Sequence, residues 1–368
     1  MKIIVLQDHL RSGGTERHSI LLNREFAAHG GESSLVTFRP GGKLAPSAGP
    51  YTPLQPFDTG IDWFGPGLSR RVLGPSPDIV LCMGKTANCF AGRLQDSART
   101  RGLGTSVVAT LRAGGVLPEL YYRSVKRASH MVTNSREAAD ELVTLHGFPR
   151  QRVAVIRNSL VFPEANGARN DELRAQMGAG AGTTVLLSVG MFRPEKNQRA
   201  LLEIASGFPK GWDWHLWLAG EGPEKAGCER LSASLGLTER VRFLGYQQDP
   251  DPLYRAADIA VHASKEEALS NFLIEAQSHG LPAVACKALG IQECFIEGST
   301  GWMVAQGDYA GFRAALERLG ADSAEARRAR AAEARAFARA SFDPATQVRA
   351  YIDLFGLLKR GPRTNSSG

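Results

Sequence analysis

The sequence is poor in the residues that staple small or extracellular folds. Only five of its 368 residues are cysteine: Cys82, Cys89, Cys228, Cys286 and Cys294. They are odd in number, scattered and never in a Cys-x-x-Cys pair. This argues against a disulfide framework or a structural zinc site and for a reducing compartment, the cytoplasm. Lysine is almost as scarce, at 10 of the 44 basic residues, the rest being arginine. No apolar run approaches the ~20 residues that span a bilayer, so a membrane role would be peripheral. The opening Met1-Lys2-Ile3-Ile4-Val5-Leu6 is too short for a signal peptide and turns polar at Gln7-Asp8-His9, so it reads as a first strand. With 43% hydrophobic and 22% charged residues, 40 Gly and 19 Pro, the composition excludes a disordered, collagenous or coiled-coil chain.

What is present is a repeated strand–loop–helix pattern. Continuous apolar strands are expected at 2–6, 34–38, 78–82, 106–111 and 130–133, with helical stretches separating several of them. Near-continuous apolar strands alternating with helices indicate parallel sheets covered by helices. The polar glycine loop Arg11-Ser12-Gly13-Gly14-Thr15-Glu16 follows the first strand, and the helix after it stops at Gly30-Gly31. Residues 39–77, loaded with Pro and Gly, read as a long irregular excursion. A Pro/Gly-rich break over 159–183 reads as a domain boundary. A second series of strands then begins at 185–189, 214–219, 241–244, 259–262 and 283–286. The length, more than one core usually serves, agrees with two domains. We expect an N-terminal domain over 1–165, a C-terminal domain over 166–345, and at 346–368 a helix packing back on the first domain before a disordered tail. The architecture expected is two Rossmann-like halves with parallel sheets facing a central cleft. Ligands in such sheets bind beyond the carboxyl ends of the strands.

Charge is distributed unevenly. Residues 1–165 hold 20 basic and 13 acidic residues, net +7, whereas 166–368 hold 24 of each. Arg70, Arg71, Arg93, Arg99, Arg101, Arg112, Arg123, Lys126 and Arg127 supply much of the excess, with Leu120, Tyr121 and Tyr122 beside the last three. The Ala/Arg/Glu tract 322–340 reads as a solvated helix rather than a nucleic-acid stripe.

The most informative stretch is Ser264-Lys265-Glu266-Glu267-Ala268-Leu269-Ser270-Asn271-Phe272-Leu273-Ile274-Glu275-Ala276, which follows a strand and opens a helix that Gly280 and Pro282 end. Glu267 falls in the loop and Glu275 about a turn into the helix. Backbone N–H groups at 269–272 would face an anion, as helix N-termini do. This stretch resembles the signature of glycosyltransferase family 4, the retaining transferases of GT-B fold. Other segments agree in order and spacing: Gly13-Gly14-Thr15-Glu16, Val132-Thr133-Asn134-Ser135, Val155-Ile156-Arg157-Asn158-Ser159, Val189-Gly190 through Pro194-Glu195-Lys196-Asn197, Ala219-Gly220-Glu221-Gly222-Pro223, Phe243-Leu244-Gly245-Tyr246 and Thr300-Gly301-Trp302-Met303-Val304. The likeness is dense over 185–305 and thin over 40–130.

The resemblance implies a mechanism. Arg193 and Lys196 would hold the diphosphate of a nucleotide sugar and neutralise the charge it gains on leaving. The family often has Arg directly after Gly190, where this chain has Met191, so Lys196 is the firmer assignment. Glu267 would contact the transferred sugar and Glu275 the ribose hydroxyls. Gly14, Gly190, Tyr246, Leu269, Ser270, Asn271 and Phe272 would line the donor. On the acceptor side, Thr15 joins either Arg112, which follows the strand 106–111 where many relatives place a histidine, or His9, a substitute candidate just after the first strand. His18, His262 and His279 read as packing residues. No metal or other cofactor is expected, and Asp249-Pro250-Asp251 reads as structural.

The implied activity is transfer of a sugar from a nucleotide donor, UDP favoured, to a glycan or lipid-linked acceptor in lipopolysaccharide or exopolysaccharide assembly. It would occur at the inner face of the cytoplasmic membrane, with peripheral contact through the basic first domain and no nucleic acid. A nucleotide-sugar epimerase or a non-catalytic binder of the same fold is the alternative. A Rossmann dehydrogenase is disfavoured, because Gly13-Gly14 does not extend to Gly-x-Gly-x-x-Gly and no acidic residue ends the second strand.

Overall fold

The computed structural model describes residues 1–11, 13–60, 67–112, 117–160, 162 and 168–360. The chain divides into two compact units, Met1–Ser159 with Pro344–Gly368 and Leu160–Asp343. Among the described residues the first unit has a seven-stranded sheet of β1 (Lys2–Gln7), β2 (Glu32–Thr37), β3 (Tyr51–Pro53), β4 (Ile79–Cys82), β5 (Ser106–Leu111), β6 (His130–Thr133) and β7 (Val153–Val155). Their order is β3-β2-β1-β4-β5-β6-β7, and every pairing is parallel. The second unit has β8 (Thr184–Val189), β9 (Trp214–Ala219), β10 (Val241–Gly245), β11 (Ile259–His262), β12 (Ala283–Cys286) and β13 (Gly301–Val304). They lie in the order β10-β9-β8-β11-β12-β13, again all parallel.

The central strands β4, β5, β8, β9, β11 and β12 are largely apolar because both faces of each sheet are buried there. In the second unit Val185, Leu187 and Trp217 enter one core, while their neighbours Leu186, Leu216 and Leu218 enter the other. In the first, Ile3, Val5, Ile79, Leu81 and Val108 share a core with Phe26, Val348, Tyr351 and Phe355. The last three residues lie on the helix Pro344–Arg360, which is thereby part of the first unit.

The crossings between units fall at 159/160 and 343/344, whereas the sequence reading placed them at 165/166 and 345/346. Leu160 is buried in the second unit's core and its N–H donates to the Phe342 carbonyl at 3.1 Å, so both crossings are fastened at one place. Adding the terminal helix sharpens the charge division. The first unit carries 24 basic and 13 acidic residues, net +11, and the second 20 and 24, net −4.

Residues 39–77 are more regular than the reading allowed. They contain β3, which pairs Leu35 with Tyr51 and Val36 with Thr52, and the helix Leu68–Leu73. Three residues ending in Pro53 carry too little pattern to announce a strand, and its position at the sheet edge tolerates the proline. The five cysteines are free, and all but Cys89 are buried. No helix among the described residues is long and apolar enough to cross a membrane. The tail expected at 363–368 lies outside the described residues.

Candidate active site

In each sheet the strand order reverses once, between β1 and β4 in the first and between β8 and β11 in the second. Loops leaving the carboxyl ends of two such strands run to opposite faces and open a crevice, where α/β sheets bind ligands. In the second unit the loop after β8 carries Gly190, Arg193 and Lys196, and the loop after β11 carries Glu267. The two loops are stitched together. The Glu195 carbonyl accepts from the Lys265 N–H at 2.8 Å and from Ser264 Oγ at 3.0 Å. The short 3₁₀ turn Pro194–Lys196 passes into the helix Gln198–Ser206 through Asn197, whose φ of 51° is left-handed. Beside it, Gly220 (φ +145°) lies so close that a Cβ would stand 1.9 Å from the Gly190 carbonyl oxygen, so no other residue fits.

At the centre lies a charged cluster. Lys196 Nζ stands 2.6 Å from Glu267 Oε1, and His262 Nε2 stands 2.8 Å from the same oxygen. Burial alone would raise the Glu267 pKa, but the Lys196 ammonium and the His262 hydrogen bond outweigh it and hold the carboxyl at about 2. Glu267 is therefore a carboxylate at neutral pH and can only accept hydrogen bonds. His262 ends β11 and is itself buried, its ring 5.8 Å from that of Phe272.

The helix Asn271–Ser278 begins with Ser270, whose Oγ accepts the Leu273 N–H at 3.4 Å. Leu269 and Phe272 turn into the core, so a ligand there would meet their backbone rather than their side chains. Glu275 Oε2 accepts from Tyr254 Oη at 2.7 Å. Tyr254 is buried and stacks on His279, with ring centroids 4.6 Å apart. His279 Nε2 in turn lies 3.0 Å from Asp251 Oδ1. Asp251 also pairs with Arg255 at 2.7 Å, and Asp249 Oδ1 accepts the Asp251 N–H at 3.1 Å. Both acids of the Asp249-Pro250-Asp251 string are thus engaged in structure. Among the described residues no group of three His, Cys, Asp or Glu side chains is arranged to hold a metal ion.

Two further expected residues of the second unit, Arg193 and Tyr246, lie in the loops after β8 and β10. Arg193 is half-exposed, with Glu195 Oε1 3.8 Å and Met191 Sδ 3.7 Å from its guanidinium. Tyr246 follows the left-handed Gly245 (φ 67°) at the end of the edge strand β10. In the first unit, Gly14 opens the helix Gly14–Ala28 after Gly13, and the Thr15 carbonyl accepts Ser19 Oγ at 2.9 Å. His9 is buried and its Nε2 lies 3.0 Å from the Pro40 carbonyl and 3.4 Å from Asp58. Arg112 donates to Asn158 Oδ1 and to Tyr351 Oη of the terminal helix. Both acceptor-side candidates are therefore held by their own unit.

Sequence reasoning missed His262 as a partner of Glu267, along with Tyr254 and Tyr351. For His262 a signal existed. A histidine closing an apolar strand sits at the carboxyl edge of the sheet, where sites form, yet it read as a packing residue. The tyrosines carried no such mark, since an apolar-flanked Tyr reads as core.

Two family models match the chain: "Glycosyltransferase Family 4" over residues 12–160 and "Glycosyl transferases group 1" over residues 169–337. The lipopolysaccharide core biosynthesis glycosyltransferase LpsE of Rhizobium meliloti is 36% identical over 150 residues, covering 41% of this chain and 43% of that protein. The D-inositol 3-phosphate glycosyltransferase of Nocardia farcinica is 31% identical over 216 residues, 55% of this chain and 48% of that protein. The matched stretch thus spans about half the length of these curated relatives. Among solved structures, Anabaena HepE in complex with UDP-glucose superposes with a TM-score of 0.80 at 21% identity, covering 97% of this chain and 100% of that one.

Proposed function

Since the chain belongs to glycosyltransferase family 4, the glycosyl transferases group 1, and has their GT-B fold, we propose that it transfers a sugar from a nucleotide donor with retention of configuration. The observation that carries this reading is the convergence of Lys196 and Glu267 across the β8/β11 reversal, with Glu275 on the helix that follows. Lys196 meets the leaving diphosphate, Glu267 a hydroxyl of the transferred sugar, and Glu275, oriented by Tyr254, the ribose. The anomeric carbon–phosphate oxygen bond breaks as the acceptor oxygen bonds to the same face of the sugar. The acceptor proton passes to the departing phosphate oxygen, so no protein nucleophile is used. A fixed ammonium stabilises the developing negative charge without a metal ion, because it stands in place before the charge appears.

UDP is the favoured nucleotide, since HepE is solved with UDP and with UDP-glucose. The acceptor is a glycan or lipid-linked sugar and the setting lipopolysaccharide assembly, a reading supported by the name of the LpsE relative, and we place the reaction at the inner face of the membrane. The basic first unit favours an anionic surface. The test is a thermal-shift screen of UDP, GDP, ADP and CMP followed by incubation with the matching nucleotide sugars. A nucleotide at 100 times its Kd adds about 2.7 kcal/mol of stability. Release of the nucleoside diphosphate, undiminished by EDTA and abolished in Lys196→Ala, is the expected result. No stabilisation by any nucleotide overturns the reading.

A further inference from the structure

We propose that His262 is a positioning residue that locks Glu267 so that one carboxylate oxygen is occupied within the protein while the other is presented to the donor sugar. The inference rests on the donor-binding reading above and extends it to a residue outside the family signature.

The geometry is asymmetric. Both donors that reach Glu267, Lys196 Nζ at 2.6 Å and His262 Nε2 at 2.8 Å, converge on Oε1. Among the described residues no protein donor bonds Oε2. Because an ionised carboxylate only accepts, His262 Nε2 must carry a proton and donate it. Two donors on one oxygen, one from the loop after β8 and one from the end of β11, leave the carboxylate little freedom to rotate about its terminal torsion. Lys196 alone would not achieve this. Its four-carbon stem is flexible, and its ammonium is also needed beside the diphosphate. The imidazole is held more firmly. It ends a strand paired on both sides, is buried, and lies against Phe272. The charged groups facing His262 are Glu267 from its own loop and, through Glu267, Lys196 from the loop after β8.

The role predicts a separation between two ligands. A bare nucleoside diphosphate does not touch Glu267 Oε2, whereas the sugar of a nucleotide sugar does. The test is calorimetric affinity for both on the full chain, in the unaltered protein, His262→Leu and His262→Gln. The probes are UDP with UDP-glucose, UDP-galactose and UDP-N-acetylglucosamine, and then the guanosine and adenosine diphosphates with their glucose conjugates. In His262→Leu we expect the diphosphate Kd to stay within twofold while the nucleotide-sugar Kd rises about tenfold, near 1.4 kcal/mol. His262→Gln, whose amide N–H can reach Oε1, should recover most of that loss. Unchanged nucleotide-sugar affinity in His262→Leu overturns the inference. So does a parallel loss of both ligands, or a fall in Tm shared by both variants, since either result describes a residue that only holds the fold. If the unaltered protein binds none of the nucleotides or nucleotide sugars, the donor reading itself fails, and the inference with it.

Discussion

The two units repeat one topology and use it differently. Each is an all-parallel sheet with a single reversal of strand order, yet one carries net charge +11 and the other −4. At the second unit's reversal a lysine, a carboxylate and a histidine share one oxygen. At the first unit's reversal the carboxylate is taken up by the fold. Asp8, just past β1, accepts the Thr86 and Ala87 N–H groups at 3.0 and 2.8 Å and so caps the helix Lys85–Thr100 after β4. A Cβ on Gly84 would stand 2.1 Å from that carboxylate. The same crevice is thus a charged site in one unit and a helix cap in the other. Topology locates a crevice, and only the residues at its rim decide what it does.

The largest effect should come from breaking the second unit's cluster. Lys196→Ala is expected to lower kcat/KM by about 10³, the upper range for removing one preorganised transition-state donor. Far-ultraviolet circular dichroism should be unchanged. Glu275→Ala should also abolish turnover, through lost nucleotide binding. A rate near that of the unaltered protein in either variant removes these residues from the reaction and dissolves the contrast between the units.

The next effect is a pH dependence carried by the same cluster. Glu267 has a folded pKa of about 2, below its ordinary 4.5. A depressed carboxylate contributes stability that is fully present above about pH 4.5 and is lost as pH falls toward 2. At 1.4 kcal/mol per unit this is on the order of 3 kcal/mol. Glu267→Gln should therefore be less stable by about that amount at pH 7, and the gap should narrow as pH falls below 4.5. Urea denaturation of both proteins between pH 7 and pH 3 measures it, and a gap constant with pH contradicts the assignment.

Arg112 supplies a smaller effect of another kind. Its bonds to Asn158 and to Tyr351 tie the end of β5 to the terminal helix. Arg112→Leu should cost about 1–3 kcal/mol of stability, as expected when a charged hydrogen bond is lost and polar partners are left buried. Nucleotide affinity should be unaltered. Preserved stability with a raised acceptor KM would instead return Arg112 to the acceptor side.

Most of the fold was legible because buried parallel strands announce themselves as short apolar runs. The runs at 106–111, 130–133, 214–219, 259–262 and 283–286 coincide with β5, β6, β9, β11 and β12. β3 was not legible, being three residues at an edge whose identity comes from pairing with β2. Within the site, Lys196 and Glu267 were named from motif resemblance, but their contact spans 71 residues of chain and depends on β8 lying beside β11. No local pattern encodes that neighbour relation. The same holds for Arg112 and Tyr351, 239 residues apart, whose bond ties a candidate ligand-binding arginine to the terminal helix.

The smallest effect concerns the surface of the first unit. The helices Lys85–Thr100 and Glu119–Val125 pack together. Around them Arg93, Arg99, Arg123, Lys126 and Arg127 are exposed. The nearby acids are Asp96, which pairs with Arg99 and Arg127, Glu119, which pairs with Arg123, and Glu141, which lies close to Tyr122. Leu120 on the same short helix is 56% exposed. Five cations against three acids, with an apolar side chain among them, suit an anionic bilayer, where each Lys or Arg near the surface contributes about 1 kcal/mol. The full chain should float with vesicles containing anionic lipid at low salt and be released as salt screens the surface. Arg123→Gln should weaken this partition about fivefold, whereas the same change at Arg328, exposed on the second unit, should leave it unaltered. Equal losses at the two positions would mean that net charge alone governs binding, and the difference between the units would then not extend to the membrane.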